Sequence, residues 1–184
     1  FAVDTDEVYM TTELKGKNTY FLPFNKGNNR GKGNPPVEGK EKTSYLWEEI
    51  LTKDSLLDIV KRFYFIEKDG TKDRRAIFPR FHQLDAVRKI VSDLKVNKAG
   101  KNYLIQHSAG SGKTNTIAWT AHRLSSLHDE NNDAIFDSVI VVTDRKVLDK
   151  QLQDAIYQLE HKHGLVVKID DKKNSSDLAD AINN

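Results

Sequence analysis

Residues 107–114 read His107-Ser108-Ala109-Gly110-Ser111-Gly112-Lys113-Thr114, a glycine-rich turn between the apolar run Tyr103-Leu104-Ile105 and a helix-like stretch over residues 114–127. Strand, glycine turn and helix in that order are the layout of a phosphate-binding loop. Gly110 and Gly112 carry no Cβ, so backbone N–H groups can converge on an anion, and the helix that begins there adds its positive end. Lys113 is then expected to reach the terminal phosphates as a point charge, and the Thr114 hydroxyl to ligate Mg²⁺. Ser108 and Ser111 complete the expected nucleotide-binding loop. His107 stands where the full pattern G-x-x-x-x-G-K-[ST] has its first glycine, so the match rests on residues 110–114 and their flanks. The plain alternative is a serine and glycine turn that merely joins a strand to a helix.

Working outward, residues 81–95 read as an amphipathic helix, with Leu84, Val87, Val91 and Leu94 on one face. Beyond the loop, Ile117, Ala121 and Leu124 share a helical face. Val139-Ile140-Val141-Val142 is a continuous apolar strand, and Leu148, Leu152, Ala155 and Leu159 mark a further helix. Residues 165–169 read as a third strand and residues 178–182 open a last helix. The order is βαβαβα. Strands apolar on both faces that alternate with helices predict an α/β fold with a parallel sheet covered on both sides.

Before this unit the pattern changes. Residues 7–11 and 19–24 alternate as two strands joined by a turn at Gly16. Residues 25–42 hold four of the ten glycines and two of the four prolines, with Lys26, Arg30, Lys32, Lys40 and Lys42 against Glu38 and Glu41. That composition predicts an extended loop, either a solvated linker or a basic segment that touches a phosphate backbone. From Ser44 the reading is helical, with Asp54 or Ser55 as the cap of a second helix. Phe63-Tyr64-Phe65-Ile66 follows as a buried strand and Asp69-Gly70 turns the chain back.

Other constellations carry chemistry. Gln83 lies in the first turn of the helix that precedes the phosphate strand, after Phe78, Pro79 and Arg80. Its amide can pair with adenine N6 and N7 while Phe78 stacks on the base; the plain alternative is a surface glutamine. An acidic metal-site residue is sought at the end of a neighbouring strand, where Asp144 and Asp170-Asp171 are candidates. Asp144 also suits a helix cap, and Lys168 interrupts the run before Asp170. Glu13 and Lys15, with Asp4 and Asp6 upstream, imitate the carboxylates and lysine of a metal-dependent nuclease, although such a triplet is common in a highly charged chain. His161 and His163 point to different helix faces and do not make a metal site.

Composition bounds the rest. In 184 residues with 38% hydrophobic content no apolar run exceeds four residues, so no membrane span is expected. The chain has no cysteine, which fits the cytoplasm, and a net charge of +2, which neither favours nor excludes nucleic acid. It opens at Phe1 rather than methionine and reads as a piece of something longer.

Taken in order, Phe81-His82-Gln83, the loop 106–114, and Val141-Val142-Thr143-Asp144-Arg145 with Leu148 and Gln151 resemble the opening motifs of superfamily 2 helicase-like motors. Residues 4–12, 19–27, 33–35 and 44–51 are similar to the stretch between nuclease and motor in the restriction subunit of type I restriction-modification enzymes. The resemblance covers nearly the whole chain.

It implies a DNA-translocating, DNA-cleaving ATPase with an amino-terminal nuclease domain and RecA-like motor domains. Its partners would be double-stranded DNA and the methylation and specificity subunits. On this chain, residues 1–42 would be the end of the nuclease domain with a basic loop. Residues 43–78 would be a helical linker and strand, and residues 79–184 the first part of a P-loop RecA-like parallel sheet. Phe78, Arg80 and Gln83 would hold the adenine side of ATP, Ser108 and residues 110–114 the phosphates and Mg²⁺, and Thr143 and Arg145 the DNA backbone. The resemblance also implies a nuclease centre upstream of Phe1, and an acidic hydrolysis motif, arginine finger and second motor outside these residues, so that the segment alone neither hydrolyses ATP nor translocates. Two readings compete: a small P-loop kinase or switch, and a non-catalytic module docking DNA or a sibling subunit through residues 25–42.

Overall fold

A computed structural model describes the backbone of residues 1–69, 72–144, 146–159, 166–167, 169 and 175–183, with side chains at those positions except 68–69, 72–74, 146–148 and 183. The chain divides into two compact units, Phe1–Ala86 and Val87–Asn184, taken in turn.

The first unit opens with a three-stranded antiparallel sheet in the order β1 (Ala2–Val3), β2 (Val8–Met10), β3 (Leu22–Pro23). Val3 faces Val8, Tyr9 faces Pro23 and Met10 faces Leu22. The two expected strands are thus present, shorter than read, and a single 3₁₀ turn at Gly16–Asn18 lies between them. Alternation decides the faces: Val8 and Met10 are buried while Tyr9 between them is exposed. A π-helical turn (Leu46–Ile50) leads into α1 (Lys53–Arg62), and the hairpin β4 (Phe65–Asp69) with β5 (Lys72–Ile77) follows. Thr52, not Asp54 or Ser55, stands at the N-cap of α1, with β-region angles and no side-chain cap bond. The expected turn at Gly70 lies outside the described residues.

Edge-to-face aromatic contacts tie this unit together. Phe24, fully buried, meets Phe1 at 5.2 Å and Phe81 at 5.7 Å between ring centres, and Tyr45 meets Phe81 at 5.3 Å. The Tyr45 hydroxyl donates to the Phe24 carbonyl, and burial pushes its pKa up to about 12.

Residues 25–42 are not the extended loop expected. Asn34, 4% exposed, organises them: its Oδ1 accepts the Lys26 N–H at 2.8 Å, and its Nδ2 donates to the Asp6 carbonyl and to Asn25 Oδ1, each at 2.9 Å. Asn25 Oδ1 in turn accepts the Val8 N–H at 2.7 Å. Polar side chains supply the order that apolar content could not, because each hydrogen bond formed away from water removes a penalty for burying backbone.

The second unit begins inside α2 (Phe81–Asn97) and contains α3 (Lys113–Ser125), α4 (Lys146–Gln158) and α5 (Ser175–Asn183). The expected face of α2 holds: Leu84, Val87, Val91 and Leu94 are all at most 4% exposed. The inner face of α3 is Thr116, Ala118 and Trp119, while Ile117 is 42% exposed. The periodic set read from the aliphatic residues alone is off by a residue or two, because Trp119 is the largest apolar side chain of the helix and takes the interior. Threonine tolerates burial there by turning its hydroxyl back to the Gly112 carbonyl at 3.5 Å. The His122 ring bonds the Ile156 carbonyl at 2.7 Å, joining α3 to α4.

The parallel sheet is not seen among the described residues, where both sheets are antiparallel. Residues 103–106 and 139–142 are irregular, and Leu104 and Val142 are 92% and 85% exposed. An apolar run states a demand for burial; a strand also needs hydrogen-bonding neighbours, and neither run has them here. The first run is anchored at its start, where the Tyr103 hydroxyl donates to Asp93 of α2 at 2.6 Å. Of the third expected strand, residues 166, 167 and 169 are described and are not in a strand, and the rest lies outside the described residues. No helix among the described residues is long and apolar enough to cross a membrane.

Candidate phosphate-binding loop

Gly112 occupies the N-cap of α3 at φ 82° and ψ 36°, and Gly110 has φ 72°. Both lie in the left-handed region, where an L side chain is strained. A Cβ at Gly110 would meet nothing within 4 Å, so glycine is required there by backbone angle and not by crowding. No side-chain hydrogen bond caps α3, and no acidic residue stands in its first turn. The start of the helix therefore offers its N–H groups and dipole to an anion instead of a carboxylate cap.

Lys113 folds back over this turn. Its ammonium donates to the Ser108 carbonyl at 2.8 Å and to the His107 carbonyl at 3.2 Å. The Ser111 N–H meets the Ser108 carbonyl at 3.3 Å, and Ser111 itself is buried. Burial, followed by the nearby Lys113 charge, holds the His107 imidazole below its ordinary range, so the neutral ring is favoured. The place in the pattern reserved for glycine thus carries a ring that responds to the loop's own cation. Thr114 is half-buried in the first turn of α3.

Such a site can hold a polyanion. A left-handed glycine pair, a helix start without a side-chain cap and an exposed ammonium are the elements that a row of phosphates needs. The Thr114 hydroxyl suits one position of a hard cation, but no group of three or more His, Cys, Asp or Glu among the described residues could hold a metal by itself. A divalent ion here would depend on phosphate oxygens and water for most of its ligands.

The adenine candidates lie in the first unit and show a second role. Gln83, 4% exposed, accepts the Arg80 N–H through its Oε1 at 2.8 Å. Arg80 is the residue before α2 and Gln83 the third within it, so this is the reciprocal half of a capping box. Phe78 packs against Phe1 at 5.8 Å and Phe24 at 6.2 Å, which commits it to the aromatic cluster. The capping role was available in the sequence from the position of Gln83, but Arg80 lacks the hydroxyl that usually announces such a box.

The remaining candidates separate. Thr143 Oγ1 reaches Asp149 Oδ1 in the first turn of α4 at 3.4 Å, and Asp144 is exposed two residues before that helix. Arg145, His161, His163, Asp170 and Asp171 lie outside the described residues. Glu13 and Lys15 form a solvated pair at 3.0 Å. Asp4 instead accepts the N–H groups of Asp6 and Glu7, each at 2.7 Å, and Asp6 pairs with Lys42, so the carboxylates do not converge.

A glycine turn feeding α3, with a lysine at the first position of the helix, lies within the part of the chain that a known family matches. The model of the SWI2/SNF2 ATPase family matches residues 82–184, and the chain belongs to that family. A protein of Methanocaldococcus jannaschii bearing the name type I restriction enzyme MjaVIIIP endonuclease subunit is 33% identical over 128 residues, which cover 67% of this chain and 12% of that protein. A second from the same organism, named for the type I restriction enzyme MjaVIIP endonuclease subunit, is 32% identical over 119 residues, 61% of this chain and 11% of its own length. The chain thus spans only a small part of the curated relatives it matches. No solved structure matches it. These findings bear out the resemblance to a helicase-like restriction subunit.

Proposed function

We propose that this chain is the segment of a type I restriction subunit that carries its ATP-binding loop. The observation that supports it most is the turn at residues 107–114, where two left-handed glycines, an uncapped α3 and Lys113 occur together inside the residues matched by the ATPase family. In this reading residues 1–42 close the nuclease domain, residues 43–78 link it to the motor, and residues 79–184 begin the first RecA-like domain. Residues 103–106 and 139–142 are then inner strands of its parallel sheet, which is in keeping with the apolar surface they expose here.

The residues divide the work. Lys113 exchanges its two loop carbonyls for phosphate oxygens and neutralises their charge. Ser108, Gly110, Ser111 and Gly112 shape the cradle, and Thr114 offers its hydroxyl to Mg²⁺. Gln83, beside Arg80 and Phe78, reads adenine through its side-chain amide. Thr143 and Arg145 contact the backbone of double-stranded DNA, which suits a motor indifferent to sequence. Bound ATP supplies the free energy of translocation. The intact protein would work in the cytoplasm with methylation and specificity subunits.

The test is a titration with a fluorescent ATP analogue in Mg²⁺, competed by ATP and by GTP, for the chain and for Lys113→Ala. Competition by ATP and not GTP, lost in the variant, is the expected result. Binding blind to the base would favour a different P-loop class.

A further inference from the structure

Within residues 25–42 the chain makes a tight hairpin whose tip is Asn29-Arg30. The Gly31 N–H donates to the Asn28 carbonyl at 2.7 Å, the Asn28 N–H to the Gly31 carbonyl at 3.1 Å, and the Gly27 N–H to the Gly33 carbonyl at 2.8 Å. The stem is fixed at its base by Asn34, whose hydrogen bonds to Lys26, Asp6 and Asn25 hold it against the sheet. Both tip residues have positive φ, Asn29 at 48° and Arg30 at 65°. A two-residue turn of that kind takes Asn readily at its first position and Gly at its second. Here arginine holds the glycine position, in a left-handed conformation that a long side chain rarely adopts, and it is exposed, so packing does not explain it.

Charge distribution points the same way. Lys26 pairs with Glu49 and Lys40 with Glu48, both at 2.8 Å, and Lys42 pairs with Asp6. Arg30 and Lys32, two residues apart on the exposed hairpin, have no ion-pair partner among the described residues. Three of the five cations are thus spent internally and the remaining two are presented together on an exposed, hydrogen-bonded hairpin. No aromatic residue lies between positions 25 and 42, so the surface has nothing on which unpaired bases could stack.

We propose that Arg30 and Lys32 form a contact point for the phosphate backbone of duplex DNA, independent of base sequence. This rests on the reading of the chain as part of a DNA-translocating restriction subunit, and deepens it by assigning a DNA contact outside the motor motifs. The guanidinium fits a phosphate bidentately and the lysine adds a point charge beside it. The turn's order means that little conformational freedom is lost on binding.

The experiment uses the whole chain and a labelled mixed-sequence DNA duplex across a series of NaCl concentrations, with Arg30→Gly, Lys32→Gln and the double variant. Arg30→Gly relieves the left-handed arginine, so its unfolding midpoint should equal or exceed that of the parent. The double variant should bind DNA roughly tenfold more weakly at moderate salt, with a log–log slope shallower by about 1.8, as expected for two phosphate contacts. Removing two exposed lysines of α1, with Lys53→Ala and Lys61→Ala, should leave most of the affinity and slope intact; an equal loss there would overturn the proposal in favour of net charge alone. Competition by a polyglutamate peptide as effective as DNA per charge would overturn it in favour of an acidic protein partner. No binding of duplex by the parent chain would also overturn it, and ATP-analogue binding measured in the same samples tells whether the nucleotide-site reading survives.

Discussion

Gln83 turns its side-chain carbonyl back to the N–H of Arg80 at 2.8 Å, so the residue expected to read adenine also closes the amino end of α2. Gln83→Ala should lower stability by about 1–2 kcal/mol, through the lost cap and a half-buried N–H left without its acceptor. Gln83→Glu keeps the acceptor and suits the helix dipole, but offers no hydrogen to adenine N7. It should therefore be more stable than Gln83→Ala in urea unfolding and still fail to distinguish ATP from GTP. Equal stability of the two variants would remove the capping role.

Lys113 is exposed and its two hydrogen bonds go to loop carbonyls, so its loss should cost the fold little. Lys113→Ala is expected within about 0.5 kcal/mol of the parent in stability. Its affinity for an ATP analogue should fall by roughly tenfold to a hundredfold, the weight of a charge-assisted contact. A large drop in unfolding midpoint would mean that the lysine is structural.

His107 gives the loop a pH dependence of known sign. Burial and Lys113 lower its folded value below the ordinary 6.5, so the unfolded chain takes up the proton first. Stability contributed by the neutral ring is present above that ordinary value and is lost as pH falls from it towards the lower folded value. His107→Gln should therefore lose less stability than the parent over that acid window, as followed by thermal unfolding at stepped pH. Parallel curves for the two proteins would show that the ring is not perturbed.

Asn34 is the hub of the segment that precedes the helices. Asn34→Ala leaves the Lys26 N–H and the Asp6 carbonyl without a partner in a site only 4% exposed, and should cost about 3 kcal/mol. Urea denaturation reads this directly. Asn34→Asp, which keeps the acceptor but not the donor, should fall between the two.

Leu104 and Val142 test the irregular course of their segments. Exposed as they are, Leu104→Lys and Val142→Lys should each change the stability of this chain by no more than about 0.5 kcal/mol. A loss above about 2 kcal/mol would mean that the two runs are covered, as strands of a parallel sheet would be.

Much of this was legible from residue patterns, and the exceptions share a cause. The amphipathic face of α2 and the glycine turn before α3 were read correctly because periodicity and missing Cβ atoms are local properties. The order in residues 25–42 was not, because it depends on Asn34 reaching Asp6, which no hydropathy pattern reports. Trp119 displaced the aliphatic face read for α3 because volume outranks periodicity in deciding what goes inside. For residues 139–142 the pattern reported an appetite for burial, whereas pairing is a relation to other strands that a single run does not contain.

That same run has a colloidal consequence. Ser138-Val139-Ile140-Val141-Val142-Thr143 is six residues of uncharged, mostly β-branched chain, exposed for much of its length and outside any strand. Such a window is a template for stacking identical copies edge to edge. Asp137 and Asp144 flank it as gatekeepers, whose like charges repel when two copies align in register. The concentration at which solutions of this chain stay clear then depends on those two carboxylates, which stand at either end of the segment most prone to stack.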